Sequence, residues 1–110
     1  MSGRKNFLPP YPTLSAASMA VEQISLITAI TELDNISMQA NFTGTPAGTL
    51  TIEGSLDETT WNAIITLPIS VAGSELFDMN LLSFPYIRSH FVPSTGSVGS
   101  LTVLVSGKMV

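Results

Sequence analysis

The stretch Ile36-Ser37-Met38-Gln39-Ala40-Asn41-Phe42 alternates apolar and polar residues without a break. Successive side chains of an extended chain point to opposite faces, so a period of two describes a strand with one face on a core and the other in solvent. Thr43-Gly44-Thr45-Pro46-Ala47-Gly48 follows and is turn chemistry. Leu50, Ile52 and Leu56 then alternate with Thr49, Thr51 and Glu53. Half-buried strands separated by short turns make an antiparallel all-β fold the expectation.

The flanking sequence continues the pattern. Asn62 to Val71 reads as a strand broken near Pro68, Ala72-Gly73-Ser74 as a turn, and Leu76 to Phe84 as a weakly alternating strand. Tyr86 to Val92 is a strand bounded by Pro85 and Pro93, with Tyr86, Arg88, His90 and Val92 on one face. Ser94 to Ser100 is a turn of small residues. Leu101-Thr102-Val103-Leu104-Val105-Ser106 is a last strand, apolar on both faces and hence central or covered by an interface. Upstream, Met19 to Ile30 fits helix or strand by period, and its Ile, Val and Thr content favours a strand. About seven or eight short antiparallel strands at this spacing indicate a single β-sandwich or jelly roll.

The expected organisation is an extended Pro-rich arm over residues 1–18 and a β-sandwich domain over residues 19–110. Phe7, Leu8, Pro9, Pro10 and Tyr11 form the body of the arm. Prolines favour an extended path, and Phe7, Leu8 and Tyr11 give it apolar anchors. The arm is expected to dock, either on its own domain or on a neighbouring subunit.

Composition limits the function. The 110 residues are 45% hydrophobic and 11% charged, against a usual charged share of about 25%. Such a chain is expected to bury apolar surface against partners. The net charge is −4, and two of the four cations, Arg4 and Lys5, stand at the N-terminus. The remaining body, with Arg88 and Lys108 against eight acids, cannot neutralise phosphates, so no nucleic-acid binding by the body is expected. Pro9, Pro10 and Pro12 interrupt the place where a secretory apolar region would stand, and no apolar run reaches membrane-spanning length. The expectation is a product that assembles in the cytoplasm, with no membrane partner. There is no cysteine to form disulfides or thiolate metal sites.

The sequence offers few groups for chemistry. His90 is the sole histidine, no Gly-x-Ser-x-Gly elbow accompanies the serines, and catalysis is not expected. Glu53, Asp57 and Glu58 flank one loop and Asp34 stands apart; paired acids can bind calcium, but EF-hand spacing is missing and a solvated loop is expected. Trp61 is a packing residue or, alternatively, a platform for stacking a sugar ring. Arg88, inside a predicted strand, needs a partner; a salt bridge within or between subunits is expected. No cofactor or metal is expected.

Two stretches together resemble a known group. Gly48-Thr49-Leu50-Thr51-Ile52-Glu53-Gly54-Ser55-Leu56-Asp57-Glu58-Thr59-Thr60-Trp61 is a strand ending in a Ser-x-Asp loop before a tryptophan. Phe84-Pro85-Tyr86-Ile87-Arg88-Ser89-His90-Phe91 is a Tyr-Ile-Arg strand, followed by Gly96, Gly99-Ser100-Leu101-Thr102-Val103 and Gly107-Lys108. This layout resembles small β-sandwich virion structural proteins of tailed bacteriophages over roughly residues 35–108. The Asp-Gly usual in that loop reads Asp57-Glu58 here. The resemblance implies a structural role in a head, neck, tail or spike. A capsid-associated or decoration protein suits the size and the arm. Its expected partners are copies of itself, as a homo-oligomer, and virion proteins such as a major capsid protein. The alternative is a carbohydrate- or host-surface-binding module using Trp61.

Overall fold

In the computed structural model, which describes residues 7–31, 33, 35–80 and 84–108, two antiparallel sheets pack face to face. The strands are β1 (Phe7–Ser18), β2 (Gln23–Ile24), β3 (Thr28–Ala29), β4 (Asn35–Phe42), β5 (Gly48–Ser55), β6 (Asn62–Ile69), β7 (Gly73–Asn80), β8 (Tyr86–Pro93) and β9 (Ser100–Lys108). A four-stranded sheet runs β1-β9-β4-β7, and a five-stranded sheet runs β2-β8-β5-β6 with β3 also on β8. The described residues contain no helix. The expectation of an all-β sandwich holds.

The alternation read from residues 36–42 is the alternation of the core. Ile36, Met38, Ala40 and Phe42 of β4 are buried, together with Leu101, Val103 and Val105 of β9 and Met79 of β7. They face Leu50 and Ile52 of β5, Ile87 and Phe91 of β8, and Ile69 of β6. Each of these side chains larger than alanine, fully buried, contributes about 1.5–3 kcal/mol. β9 lies between β1 and β4, the central position expected of a strand apolar on both faces.

The prolines sort by position. β6 is an edge strand, and Pro68 continues its ladder opposite Thr49 rather than breaking it. An edge tolerates a residue that cannot donate a hydrogen bond. Residues 7–18, expected as an arm, are the edge strand β1 paired antiparallel to β9 of the same chain. Pro9, Pro10 and Pro12 sit where its register shifts, and Ala16 lies at φ 48 within a third irregularity. The irregular composition is that of a bulged edge strand.

The reading of residues 19–30 as one strand is corrected. Met19 and Ala20 lie in a turn, and only the pairs Gln23–Ile24 and Thr28–Ala29 join β8. The segment divides its hydrogen bonds between both sheets. Ser25 N–H donates to the Ser89 carbonyl on β8 at 2.9 Å, and Leu26 N–H donates to the Thr13 carbonyl on β1 at 3.2 Å. Ser25 Oγ accepts from Ser89 N–H at 2.9 Å, replacing a ladder bond. A strand cannot pair regularly with one sheet while closing the end of a sandwich. The strand expected over Leu76 to Phe84 begins earlier, at Gly73, and ends at Asn80; residues 81–83 lie outside the described residues.

Candidate functional site

The outer face of β5 and β8 gathers the ion pairs of the described residues. Cross-strand pairing sets Thr51 opposite His90 and Glu53 opposite Arg88. Alternation explains the segregation: Ile87, Ser89 and Phe91 go inward, and Tyr86, Arg88, His90 and Val92 share the outer face, as the sequence indicated. Arg88 Nε–H donates to Glu53 Oε1 at 2.7 Å. The other carboxylate oxygen, Glu53 Oε2, lies 3.4 Å from His90 Nδ1. His90 Nε2 meets the carboxylate of Glu22, just before β2. On the opposite flank the Arg88 guanidinium lies over the Trp61 ring, 4.2 Å from its centroid.

The result is a five-residue row, Trp61-Arg88-Glu53-His90-Glu22. Glu53 holds two cation-capable groups on its two oxygens. The row ties the loop before β6 and the segment before β2 to the two central strands of the five-stranded sheet. Of the two arrangements expected for Arg88, a salt bridge within or between subunits, the one within the chain forms, to Glu53. Arg88 covers one face of Trp61, and a sugar ring could use only the other.

The acids suggested for calcium do not converge. Glu53 faces Arg88, while Asp57 is engaged by its own loop. Asp57 Oδ1 accepts from Thr60 N–H at 2.8 Å and Thr59 N–H at 2.9 Å, and from the Ser55 hydroxyl at 3.0 Å. The Thr60 and Thr59 amides, and then Ser55, lower its pKa from 3.8 to about 2. Glu58 occupies the left-handed region at φ 62. Asp34 lies outside the described residues. Among the described residues no group of three or more acids or histidines is arranged to hold a metal ion.

Of the residues expected in the arm, Phe7 begins β1 opposite Lys108, and Pro9 and Pro10 are exposed. Leu8 and Tyr11 pack against the chain's own core. Tyr11 also shares a 2.6 Å hydrogen bond with the Thr28 hydroxyl, joining β1 to the opposite sheet. The outer face of the four-stranded sheet is otherwise quiet. Pro10, Leu76 and Leu104 surround Gln39 in a shallow hollow, with Ser37 and Ser106 alongside.

Sequence reasoning placed Arg88 and His90 on one face but missed their partners. Glu53 was legible: it shares the face of Thr49 and Thr51 and needed only the pairing of β5 with β8. Glu22 carried no signal, because its approach to His90 depends on the turn at Met19-Ala20.

Solved structures share this architecture. The crystal structure of the SPBc2 prophage-derived protein YomS matches with a TM-score of 0.74 at 6% identity, over 98% of this chain and 97% of that one. The likeness establishes the fold. The PBSX exported protein XepA matches at 0.62 with 16% identity, over 96% of this chain and 37% of that one. A subunit from Bacillus endospore appendages, described as a novel family of disulfide-linked pili, matches at 0.58 with 17% identity, over 100% and 95%. No family model and no curated protein sequence matches the chain.

Proposed function

We propose that this chain is a non-enzymatic structural protein of a tailed-bacteriophage virion, associated with the capsid and acting through subunit contacts. The observation that carries the reading is the end-to-end match of its sandwich to a prophage-derived protein, over 98% of this chain and 97% of that one. Its fold is also close to that of a subunit of an assembled appendage. The surface suits such a role. Leu76 is 67% exposed on an outer sheet face whose other side chains are largely small and uncharged, a surface that a protein partner covers with little desolvation cost. The partners in this reading are copies of the chain and other virion proteins such as a major capsid protein, joined during assembly in the host cytoplasm.

The test is localisation. Particles produced from the genome that encodes the chain are purified, and gold-labelled antibody against the chain is imaged on them. Label distributed over heads is the expected result. Label confined to necks, tails or spikes would overturn the capsid assignment. A chain abundant in the lysate and absent from particles would overturn the virion role.

A further inference from the structure

Each edge strand of a sandwich offers a row of unpaired backbone donors and acceptors, and proteins that stay apart blunt those rows. Three edges here are blunted. β1 carries Pro9, Pro10 and Pro12 and three register shifts. β2 and β3 are two residues each. β7 carries Glu75 and Asp78, and Glu75 stands opposite the buried Ala40, an acid on the core-facing side of an edge. β6 is different. Its sequence, Asn62-Ala63-Ile64-Ile65-Thr66-Leu67-Pro68-Ile69, holds no charge, and β5 is its one partner among the described strands.

The direction of its free backbone groups follows from Pro68. Pro68 is paired with Thr49 and has no N–H to give it, so its nitrogen faces away from β5. Register is unbroken from Ile65 to Ile69. Hydrogen-bonding direction alternates along a strand, so Thr66, two residues away, also turns its N–H and C=O to the free side.

We propose that β6 is the seam at which two copies of this chain join, antiparallel and edge to edge, continuing the five-stranded sheet across a two-fold axis. This deepens the proposed assembling role and rests on it. A second copy is the occupant that the strand's own pattern fits. Pairing must keep core-facing residues on one side. The register that centres Thr66 on its counterpart does so, and its two backbone groups exchange both hydrogen bonds. Ile65 then lies beside the counterpart's Leu67 on the core side. Both are half-buried at the open margin of the sandwich, and the apolar core runs on through the seam. Val71 and Leu56, 70% and 76% exposed beyond opposite ends of β6, are brought toward each other's copy. Charge selects the same edge. The chain carries −4, and a seam through β7 would bring the acids Glu75 and Asp78 of two copies together along one edge, whereas β6 carries no carboxylate.

The test uses the full chain, its Thr66→Pro and Thr66→Lys variants, light scattering and amide exchange. Thr66→Pro removes a donor directed at the seam and none directed at β5. The expected result is a dimeric wild type, with the amide at position 66 exchanging about a hundredfold more slowly than in the Thr66→Lys variant. Both variants are expected to be monomers with an unchanged β-sheet spectrum. If the proline variant fails to fold, Thr66→Lys and exchange in the wild type decide. A wild type that stays monomeric across concentration would overturn the seam. An oligomer that Thr66→Lys leaves intact, with a freely exchanging Thr66 amide, would also overturn it and leave the virion role standing. A chain that dimerises through Thr66 but is absent from particles would keep the seam and remove the role.

Discussion

The Arg88 guanidinium lies 4.2 Å above the Trp61 ring centroid while its Nε–H donates to Glu53 at 2.7 Å. Arg88 and Glu53 are mostly withdrawn from solvent, with side chains 18% and 14% exposed. Removing one partner therefore leaves the other charged group poorly solvated. Glu53→Ala is expected to destabilise the chain by about 1–3 kcal/mol in urea unfolding. The double variant with Arg88→Ala should lose less than the sum of the single losses. Trp61 is the sole tryptophan, so Arg88→Ala should also shift the emission spectrum. Additive losses and an unmoved spectrum would show that the contacts are not held in solution.

Glu58 stands at φ 62, where a side chain clashes with the backbone and glycine does not, a difference of about 1 kcal/mol. Its side chain is exposed, and its amide donates to Ser55 Oγ at 2.9 Å, a bond any residue can make. Glu58→Gly should therefore stabilise the chain, raising Tm by about 4–8 °C for a domain near this size. A lower Tm would mean that the cost of ordering the glycine outweighs the relief of strain.

Asp57 sets the acid limit of the same loop. Its folded pKa of about 2 lies below the ordinary 3.8 because the Thr60 and Thr59 amides and the Ser55 hydroxyl favour the carboxylate. A group with a lowered folded pKa adds stability above its unfolded pKa and loses it as pH falls through the folded one. Asp57→Asn keeps an acceptor oxygen and removes the charge. The Tm advantage of the wild type over this variant should be constant above pH 4 and should vanish as pH falls toward 2. An advantage independent of pH over that window would rule out the ionised carboxylate as its source.

Tyr11 and Thr28 join the two sheets through a 2.6 Å hydrogen bond, and Thr28 is 4% exposed. Tyr11→Phe strands the threonine hydroxyl, at a cost of about 1–3 kcal/mol. Thr28→Val in that background should recover part of the loss. Amides of β1 should exchange faster in Tyr11→Phe, because the bond pins that strand across the sandwich. Unchanged exchange would show that pairing with β9 alone holds β1.

Much of the fold was legible because period-two alternation records burial directly, and the strands at 35–42 and 48–55 fall where the pattern sets them. Residues 7–18 were legible as an extended, docked segment but not as a strand, because prolines signal an extended chain without saying whether a ladder lies beside it. Residues 19–30 misled because strand propensity does not register that Ser25 and Leu26 bond to opposite sheets. In the polar row, the common face of Arg88 and His90 followed from spacing. Glu22 and Trp61 reach that face through turns, whose direction depends on backbone angles that the sequence pattern does not carry. The uncharged run of β6 was visible from the start, yet it became informative only when topology made it an edge.

Of the glycines described, Gly99 makes the tightest approach to a neighbouring backbone. It lies at φ +147, and a Cβ placed on it would fall 1.8 Å from the Thr43 carbonyl oxygen. That approach lets the loop after β4 close on the loop before β9: Thr43 N–H donates to the Ser100 carbonyl at 3.0 Å, and Thr45 and Val98 bond to one another. A methyl group there must push backbone against backbone. Gly99→Ala should cost about 3 kcal/mol and speed exchange at Thr43 and Thr45 together. Gly96, three residues earlier at φ +83, has open space around its Cβ position. Gly96→Ala therefore carries the left-handed penalty alone, about 1 kcal/mol. Equal losses at the two positions would mean that backbone angle, and not the Thr43 contact, is what requires glycine at Gly99.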